Sequence, residues 1–487
     1  MDRRGFVATS ATAMAGVVGV PSLGARRFGA SGLRSLDPKR LQTLLDDTAR
    51  SLGIVGAQLA VFDGEAVHEF ATGQANRERG LAVTTDTLFQ IGSTTKVFNA
   101  ALVMNLVDEG KLDLDAPVTK WIPDFQVADA GGAEKITLRQ LLSMSSGLDN
   151  GSYQDHGRGD DAVARYVAAL AKVPLVYEPG TAYGYSNAGS TVAGHAAQLV
   201  TGRTWESLLT ERILRPLGLT QSAMFAEDLL YHPVALGYRA SPNGPVRGRN
   251  WSLPRSIAPA GSTLCCSAGD MVRFARMFMA DGKSADGKQV LTPAAVRTMH
   301  TPVATLPAKL IAQRWCCGPY WKQWGGVELF GHSGTATSGS SMLLWSPSKR
   351  MAIATIANVP NQGYPLSDRI FDAVLGDMFG IAKPKLPTAA TVKRVPVDLK
   401  RYVGRFESLG NRVTMTDEGG KLVARTFSGR NEQPNLTSEI VSMGEDRFLP
   451  VDPAMGGNRG WDVAFWGNDG GKATHFLNGV FAMRRTG

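Results

Sequence analysis

Apolar and polar residues alternate through residues 55–73, "VGAQLAVFDGEAVHEFATG", on either side of Asp63-Gly64. Such alternation turns one face of a strand toward a core, and Asp-Gly is a favoured two-residue turn, so the stretch predicts a β-hairpin. From about residue 97 to 300 the period becomes that of a helix. "KVFNAALVMNLVDEGKL", "DDAVARYVAALAKV", "SNAGSTVAGHAAQLVTG" and "AGDMVRFARMFMADGK" each carry apolar residues three and four apart, and three of the four end at a glycine. A mostly helical block is therefore expected in the middle of the chain. Strand character returns in "VELFGHSG", "SSMLLWS" and "RMAIATIAN", the last two joined by the turn residues Pro347-Ser348. The Pro-, Ala- and Lys-rich "IAKPKLPTAATVKRVP" reads as a linker. Beyond it, "YVGRFES", "RVTMTDEGGKLVARTFSG", "DRFLPVD" and "WDVAFWGNDGGKATHFLNG" are short strands between Gly-rich turns, the pattern of a small barrel-like all-β module.

Composition adds the compartment. At 487 residues the chain has length for two or three domains, and 43% hydrophobic with 20% charged residues is a globular balance. The start, "MDRRGFVATSATAMAGVVGVPSLGARR", sets Arg3-Arg4 before a weakly apolar stretch and then small residues, the layout of a twin-arginine export signal. Its Ser, Thr, Gly and Pro21 make it a poor membrane span, so an exported, periplasmic or extracellular protein is expected, without a stable membrane span. The formal charge is +9, but the positive residues are scattered with no run of five, so a nucleic-acid partner is not expected. The four cysteines form two adjacent pairs, Cys265-Cys266 and Cys316-Cys317, which is neither a zinc nor a thioredoxin-like spacing. One bridge between the pairs and buried free thiols both remain open.

Candidate chemistry begins at "IGSTTKVFNAALV", where Ser93 and Lys96 lie one turn apart at the start of a helix expected over 94–110. A serine hydroxyl is a weak nucleophile until a neighbouring base takes its proton, and a desolvated lysine with a lowered pKa is such a base. A bare Ser-x-x-Lys is common, however, and a second one, Ser346 to Lys349 in "WSPSKR", falls on a turn. Two further motifs set the first apart. "TAYGYSNAG" holds Tyr185-Ser186-Asn187, the only Tyr-x-Asn in the chain, and "ELFGHSGTATSG" holds His332-Ser333-Gly334, the only His-x-Gly.

With these three motifs in this order, and with "ITLRQLLSMSSGL", "YEPGTAYGYSNAG", "ILRPLGLTQSAM" and "GHSGTATSGSSMLLWSPSKRMAIATIAN", residues 40 to 380 resemble the serine β-lactamase and penicillin-binding-protein-like family. The resemblance is to its class C-like branch of esterases, D-aminopeptidases and DD-peptidases. It implies an α/β (α+β) fold, with an antiparallel sheet flanked by helices beside the helical block. It also implies roles: Ser93 attacks a carbonyl to form an acyl-enzyme, and Lys96 and Tyr185 share the proton transfers. Asn187 holds substrate or orients Lys96, and the N–H groups of Ser93 and Thr335, just past His332-Ser333-Gly334, form an oxyanion hole. For Tyr185 to act as a base, neighbouring positive charge would have to lower its pKa from about 10. The domains expected are an export signal at 1–25, the hydrolase at 26–382, a linker at 383–396 and the barrel at 397–487. The barrel, with "YVGRFE" and "FLNGVFAMRR", resembles the lipocalin-like module appended to several hydrolases of this branch. Whether it caps the site or stands apart is left open.

Where β-lactamases commonly carry Lys-Thr-Gly, this chain has His332-Ser333-Gly334, which removes a permanent cation and speaks against strong β-lactamase activity. The expected function is an exported serine hydrolase of esterase or D-amino-acid peptidase type. It needs no cofactor and no metal, and its partner is a small-molecule or peptide substrate with an ester or amide carbonyl, cell-wall material among the candidates. The alternatives are a β-lactamase or DD-carboxypeptidase and a sensor that is acylated without turnover. An α/β-hydrolase, suggested by "GYSNA" at 184–188, ranks lower because its fifth position is Ala188 and no alternating βα pattern accompanies it.

Overall fold

The computed structural model describes residues 37–487 apart from 430, 453 and 456–460; the stretch expected to direct export lies outside the described residues. The alternation around Asp63-Gly64 folds as β1 (Gly56–Phe62) and β2 (Val67–Asn76), paired from Phe62↔Val67 to Gly56↔Gly73. β1 is buried throughout because it lies inside a larger sheet. The other long strands are β3 (Tyr320–Trp324), β4 (Val327–Thr335), β5 (Ser340–Ser346) and β6 (Met351–Ala357), all antiparallel. Ala57 pairs with Ala357, which closes the N-terminal hairpin onto strands some 300 residues later. Among the described residues the sheet runs Leu81–Ala82, β2, β1, β6, β5, β4, β3, Arg314–Trp315, Ala304–Thr305.

Helices cover both faces. α1 (Pro38–Ser51) starts at Asp37, whose side chain accepts from Lys39 N, and buries Leu41, Leu45, Thr48 and Ala49 at helical spacing. It packs on one face with α5 (Gly363–Phe379), which ends at Gly380 in the left-handed conformation. Neither helix is among those expected from the sequence. The expected helices form as α2 (Thr95–Asp108), α3 (Asn187–Thr201), α4 (Ala268–Phe278) and the shorter Ala162–Ala169. α2 is buried on every side from Thr95 to Met104, so it threads the core rather than lying on it. The block is less helical than expected, since residues 222–266 contain two-residue strands at Ser222–Ala223, Tyr238–Arg239, Val246–Arg247 and Cys265–Cys266. All four cysteines are buried free thiols.

After residue 382 the chain runs without a helix or strand of more than one turn until the eight strands of a closed barrel. These are β7 (Gly404–Ser408), β8 (Asn411–Asp417), β9 (Leu422–Ser428), β10 (Leu436–Gly444), β11 (Arg447–Pro450), β12 (Val463–Trp466), β13 (His475–Asn478) and β14 (Phe481–Arg485). The barrel closes where Phe406 of β7 pairs with Arg485 of β14. Phe406, Phe448, Phe465 and Phe476 pack inside it with ring centroids between 4.8 and 5.7 Å.

The barrel is docked against the part of the chain that precedes it. Its fully buried Asp462 pairs with Arg447 and accepts the backbone N–H groups of Lys309 and Leu310, each at 3.0 Å. Leu409 N donates to Asp149 Oδ2 at 2.8 Å, and Tyr185 N donates to the carbonyl of Val480 at 2.9 Å. Ala464, Leu477 and Ala482 on the barrel join the apolar cluster that holds Tyr177, Tyr183 and Tyr185.

Candidate active site

Ser93 occupies a single 3-10 turn, Gly92–Thr94, that leads into α2 at Thr95. It is not a helix cap: Thr94 holds that position, with no side-chain capping bond. Because α2 crosses the core, Lys96 is 2% exposed and its chain is forced toward Ser93. Its Nζ lies 3.1 Å from Ser93 Oγ, 2.6 Å from Asn187 Oδ1 and 2.6 Å from the Ala260 carbonyl. Burial drives its pKa well below the usual lysine range, toward the neutral amine.

Tyr185 sits just before α3, whose N-cap Ser186 accepts from Gly189 N. The Lys96 Nζ lies 4.9 Å from the centre of its ring, and its hydroxyl is hydrogen-bonded to Ser93. Burial nevertheless pushes the phenol well above 10, toward the protonated form, so the environment does not make it the base that nearby positive charge would have made. Asn187, the first residue of α3, is fixed from the other side: its Nδ2 donates to Asn150 Oδ1 at 3.0 Å and to the Tyr153 hydroxyl at 2.9 Å.

The third motif lies on β4. β3 pairs with β4 only as far as Gly331, so His332 to Thr335 run on with that edge uncovered. Gly334 permits close approach, since a Cβ there would stand 1.8 Å from the Ile91 carbonyl and 2.9 Å from Ser93 N. Gly261, at φ +115°, does the same from the opposite side, 2.9 Å from Ser93 N. The backbone N–H of Ser93 is thereby brought beside the Thr335 backbone. His332 is buried, its Nδ1 2.7 Å from the Ser333 carbonyl and its Nε2 without a hydrogen-bond partner among the described residues. Burial and the neighbouring Lys96 push its pKa down to about 3, so it is neutral and supplies no cation.

Ser93, Tyr185, Asn187, His332, Ser333 and Thr335 line one cleft of about 250 Å³, with Lys96 at its floor. The structure thus gathers the candidate site residues, with Gly334 on the strand between Ser333 and Thr335. It also adds walls that carry no motif: Tyr153 from a loop, Trp315 and Tyr320 beside β4, Tyr364 from α5, and Trp461, Val480 and Phe481 from the barrel. The barrel therefore contributes to the cleft directly. Phe481 meets the Tyr185 ring edge-on at 5.9 Å. Among the described residues no cluster of His, Cys, Asp and Glu is arranged to hold a metal, and no helix is long and apolar enough to cross a membrane.

A sheet of this order, with a serine just ahead of a buried helix and its lysine beneath, is that of a serine hydrolase of the β-lactamase and penicillin-binding-protein-like kind. The Beta-lactamase family model matches residues 41–376, and the chain belongs to that family. Penicillin-binding protein 4 of Amycolatopsis lactamdurans is 37% identical over 361 residues, 73% of this chain and 94% of that protein. Esterase EstB of Burkholderia gladioli is 33% identical over 226 residues, 43% of this chain and 57% of its own. Among solved structures, SurE superposes with a TM-score of 0.77 at 27% identity, covering 92% of this chain and 99% of that one, and has also been solved with D-Leu. The D-amino acid amidase of Ochrobactrum anthropi SV3 superposes with a TM-score of 0.58 at 25% identity, covering 70% and 99%.

Proposed function

We propose that the protein cleaves an ester or amide bond through an acyl-enzyme on Ser93, acting on D-amino-acid derivatives with an apolar side chain. The observation that carries this is the set of three oxygens around Lys96. A neutral amine has two N–H bonds and one lone pair. Asn187 Oδ1 and the Ala260 carbonyl, each at 2.6 Å, take the two N–H bonds, which leaves the lone pair for the Ser93 hydroxyl at 3.1 Å. Ser93 then donates its proton to Lys96 as its oxygen attacks the substrate carbonyl. The oxyanion is received by the N–H groups of Ser93 and Thr335. Tyr185, held protonated by burial and hydrogen-bonded to Ser93, delivers a proton to the leaving atom, and the Lys96 ammonium replaces it. Water releases the acyl group by the reverse sequence.

The substrate class draws on the aromatic cleft and on the relatives: an esterase, a D-amino acid amidase and a protein solved with D-Leu. Export belongs to the same reading, on the strength of Arg3-Arg4 and the stretch that follows; cell fractionation with Arg3→Lys/Arg4→Lys as control tests it. The decisive experiment is intact-protein mass spectrometry and turnover of the wild type and Ser93→Ala with a p-nitrophenyl ester, D- and L-leucinamide and a penicillin. The expected result is Ser93-dependent turnover of the ester and of D- over L-leucinamide. A stable adduct without turnover would make the protein an acylated sensor, and no adduct with any probe would remove Ser93 from the mechanism.

A further inference from the structure

The cleft does not end at Ser333. Ile311, Tyr320, Ser333, Tyr364 and Trp461 also line a second cavity of about 420 Å³ that lies beneath the first turns of α5. Its walls are mostly apolar, with Leu310, Met342, Pro365, Phe371 and Leu386 among them. Into this space β3 turns a lysine, Lys322, which is 7% exposed. Its Nζ lies 4.0 Å from the centre of the Trp324 ring and 5.1 Å from that of Tyr320, and it makes no hydrogen bond or ion pair among the described residues.

The other charged groups of the cavity are already engaged. Asp368 is paired with Lys383, and Arg369 donates to Ser51 Oγ at 2.8 Å. Lys322 therefore has only aromatic faces in direct contact; the Asp368 carboxylate attracts it across the cavity but is bound to Lys383, whose repulsion outweighs that attraction, so the compensation is weaker than an anion of its own would give. Burial and the repulsion of Lys383 push its ammonium down to about 7, so an arriving carboxylate would hold it in the charged form. The cation that His332 fails to supply at the catalytic motif is present on the neighbouring strand.

We propose that this cavity is a substrate subsite that receives an apolar arm ending in a carboxylate, with Lys322 as the group that binds the acid. The inference rests on Ser93 being the nucleophile and deepens that reading. The strand register gives the reach. Lys322 pairs with Leu329, four positions before Ser333 on β4, or about 13 Å at ~3.3 Å per residue. The lysine side chain spans part of that, which sets the carboxylate on the order of 10 Å from the reacting carbonyl, or roughly three residues of extended peptide. A carboxylate on the atom next to the scissile bond would not reach it.

The test is calorimetric titration of the Ser93→Ala protein with octanoate and with octanamide at pH 6, an identical arm with and without the charge. Octanoate is expected to bind at least about ten-fold more tightly, and adding Lys322→Met should reduce the difference to less than about three-fold. Equal binding of acid and amide by the Lys322 protein would overturn the proposal, as would an undiminished preference in a Lys322→Met protein of unchanged circular dichroism. Turnover by the wild type is read separately, with the mono-p-nitrophenyl ester of nonanedioic acid against p-nitrophenyl octanoate. Acid-selective binding without turnover of any ester or amide would keep the subsite and remove the Ser93 reading. Turnover without acid selectivity would do the opposite.

Discussion

Asn187 Oδ1 stands 2.6 Å from Lys96 Nζ, and the amide that supplies it is itself anchored by Asn150 and Tyr153. An uncharged acceptor satisfies the amine without stabilising its protonated form, as a carboxylate at the same place would. In Asn187→Asp the opposite charge raises the Lys96 pKa, by about one to three units for a contact this close. The acid limb of the kcat/KM profile, which follows loss of the Lys96 proton, then moves to higher pH. At pH 7 activity falls about ten-fold or more and recovers in part by pH 9. A loss uniform across pH would mean that Asn187 acts on the substrate rather than on Lys96.

Phe481 closes the cleft from the barrel side against Tyr185. Removing an aromatic contact of this kind costs about 0.5–1.5 kcal/mol, or roughly two- to twelve-fold in an equilibrium. Phe481→Ala is accordingly expected to raise KM by that factor for a bulky D-leucyl substrate and to leave p-nitrophenyl acetate within about two-fold. Steady-state kinetics on the two substrates separates this from a general loss of packing, which would lower kcat for both.

Asp462, held within the barrel by Arg447, joins the two halves through the backbone N–H groups of Lys309 and Leu310, with no exposure of its own. Asp462→Ala leaves the partly buried Arg447 guanidinium and two interface N–H groups without their acceptor, a change that costs about 3 kcal/mol. Urea unfolding is expected to show the loss, and limited proteolysis to show earlier cutting in the segment before β7. A variant as stable as the wild type would mean that the apolar contacts of Ala464, Leu477 and Ala482 suffice for docking.

Lys322 carries a stability signature of its own. Its folded pKa, about 7, lies below the ordinary lysine value of 10.5, so the unfolded chain binds the proton more readily. Stability then rises with pH between those two values, and the penalty is complete below about 7 and gone above 10.5. Relative to wild type, Lys322→Met is expected to be more stable at pH 6, with the gap narrowing toward pH 10. Denaturant midpoints at the two pH values measure it; a constant gap would place the effect in packing instead of charge.

The three motifs were legible because each binds its chemistry to a short spacing, and the barrel because its turns recur. The inner strands at 327–357, the helix that follows Ser93 and the helix that begins at Asn187 were legible from their periodicity. α5 was not recognised although Leu366, Ile370, Val374 and Met378 repeat every four residues; Pro365 in its first turn and Gly376 near its end look like breaks. The edge strands Arg314–Trp315 and Ala304–Thr305 are too short for alternation to register. Lys96 reads in sequence as a solvated charge as readily as a base, and only the passage of α2 through the core removes that choice. The walls of the cleft come from segments as far apart as Tyr153 and Phe481 and share no pattern, so no local signal could have found them.

The bond from Tyr185 N to the Val480 carbonyl fixes a hairpin turn of the barrel beside Ser93 in the cleft. Turns between strands accept changes in sequence and length that strands and core helices do not. Residues 478–481 therefore form an exchangeable jaw: new turns can be grafted there to reshape the cleft while Ser93, Lys96 and Tyr185 stay as they are. Deleting the whole barrel is a different operation, because it strips the cover from Tyr177, Tyr183 and Tyr185 and leaves a sticky aromatic surface where the pocket had been.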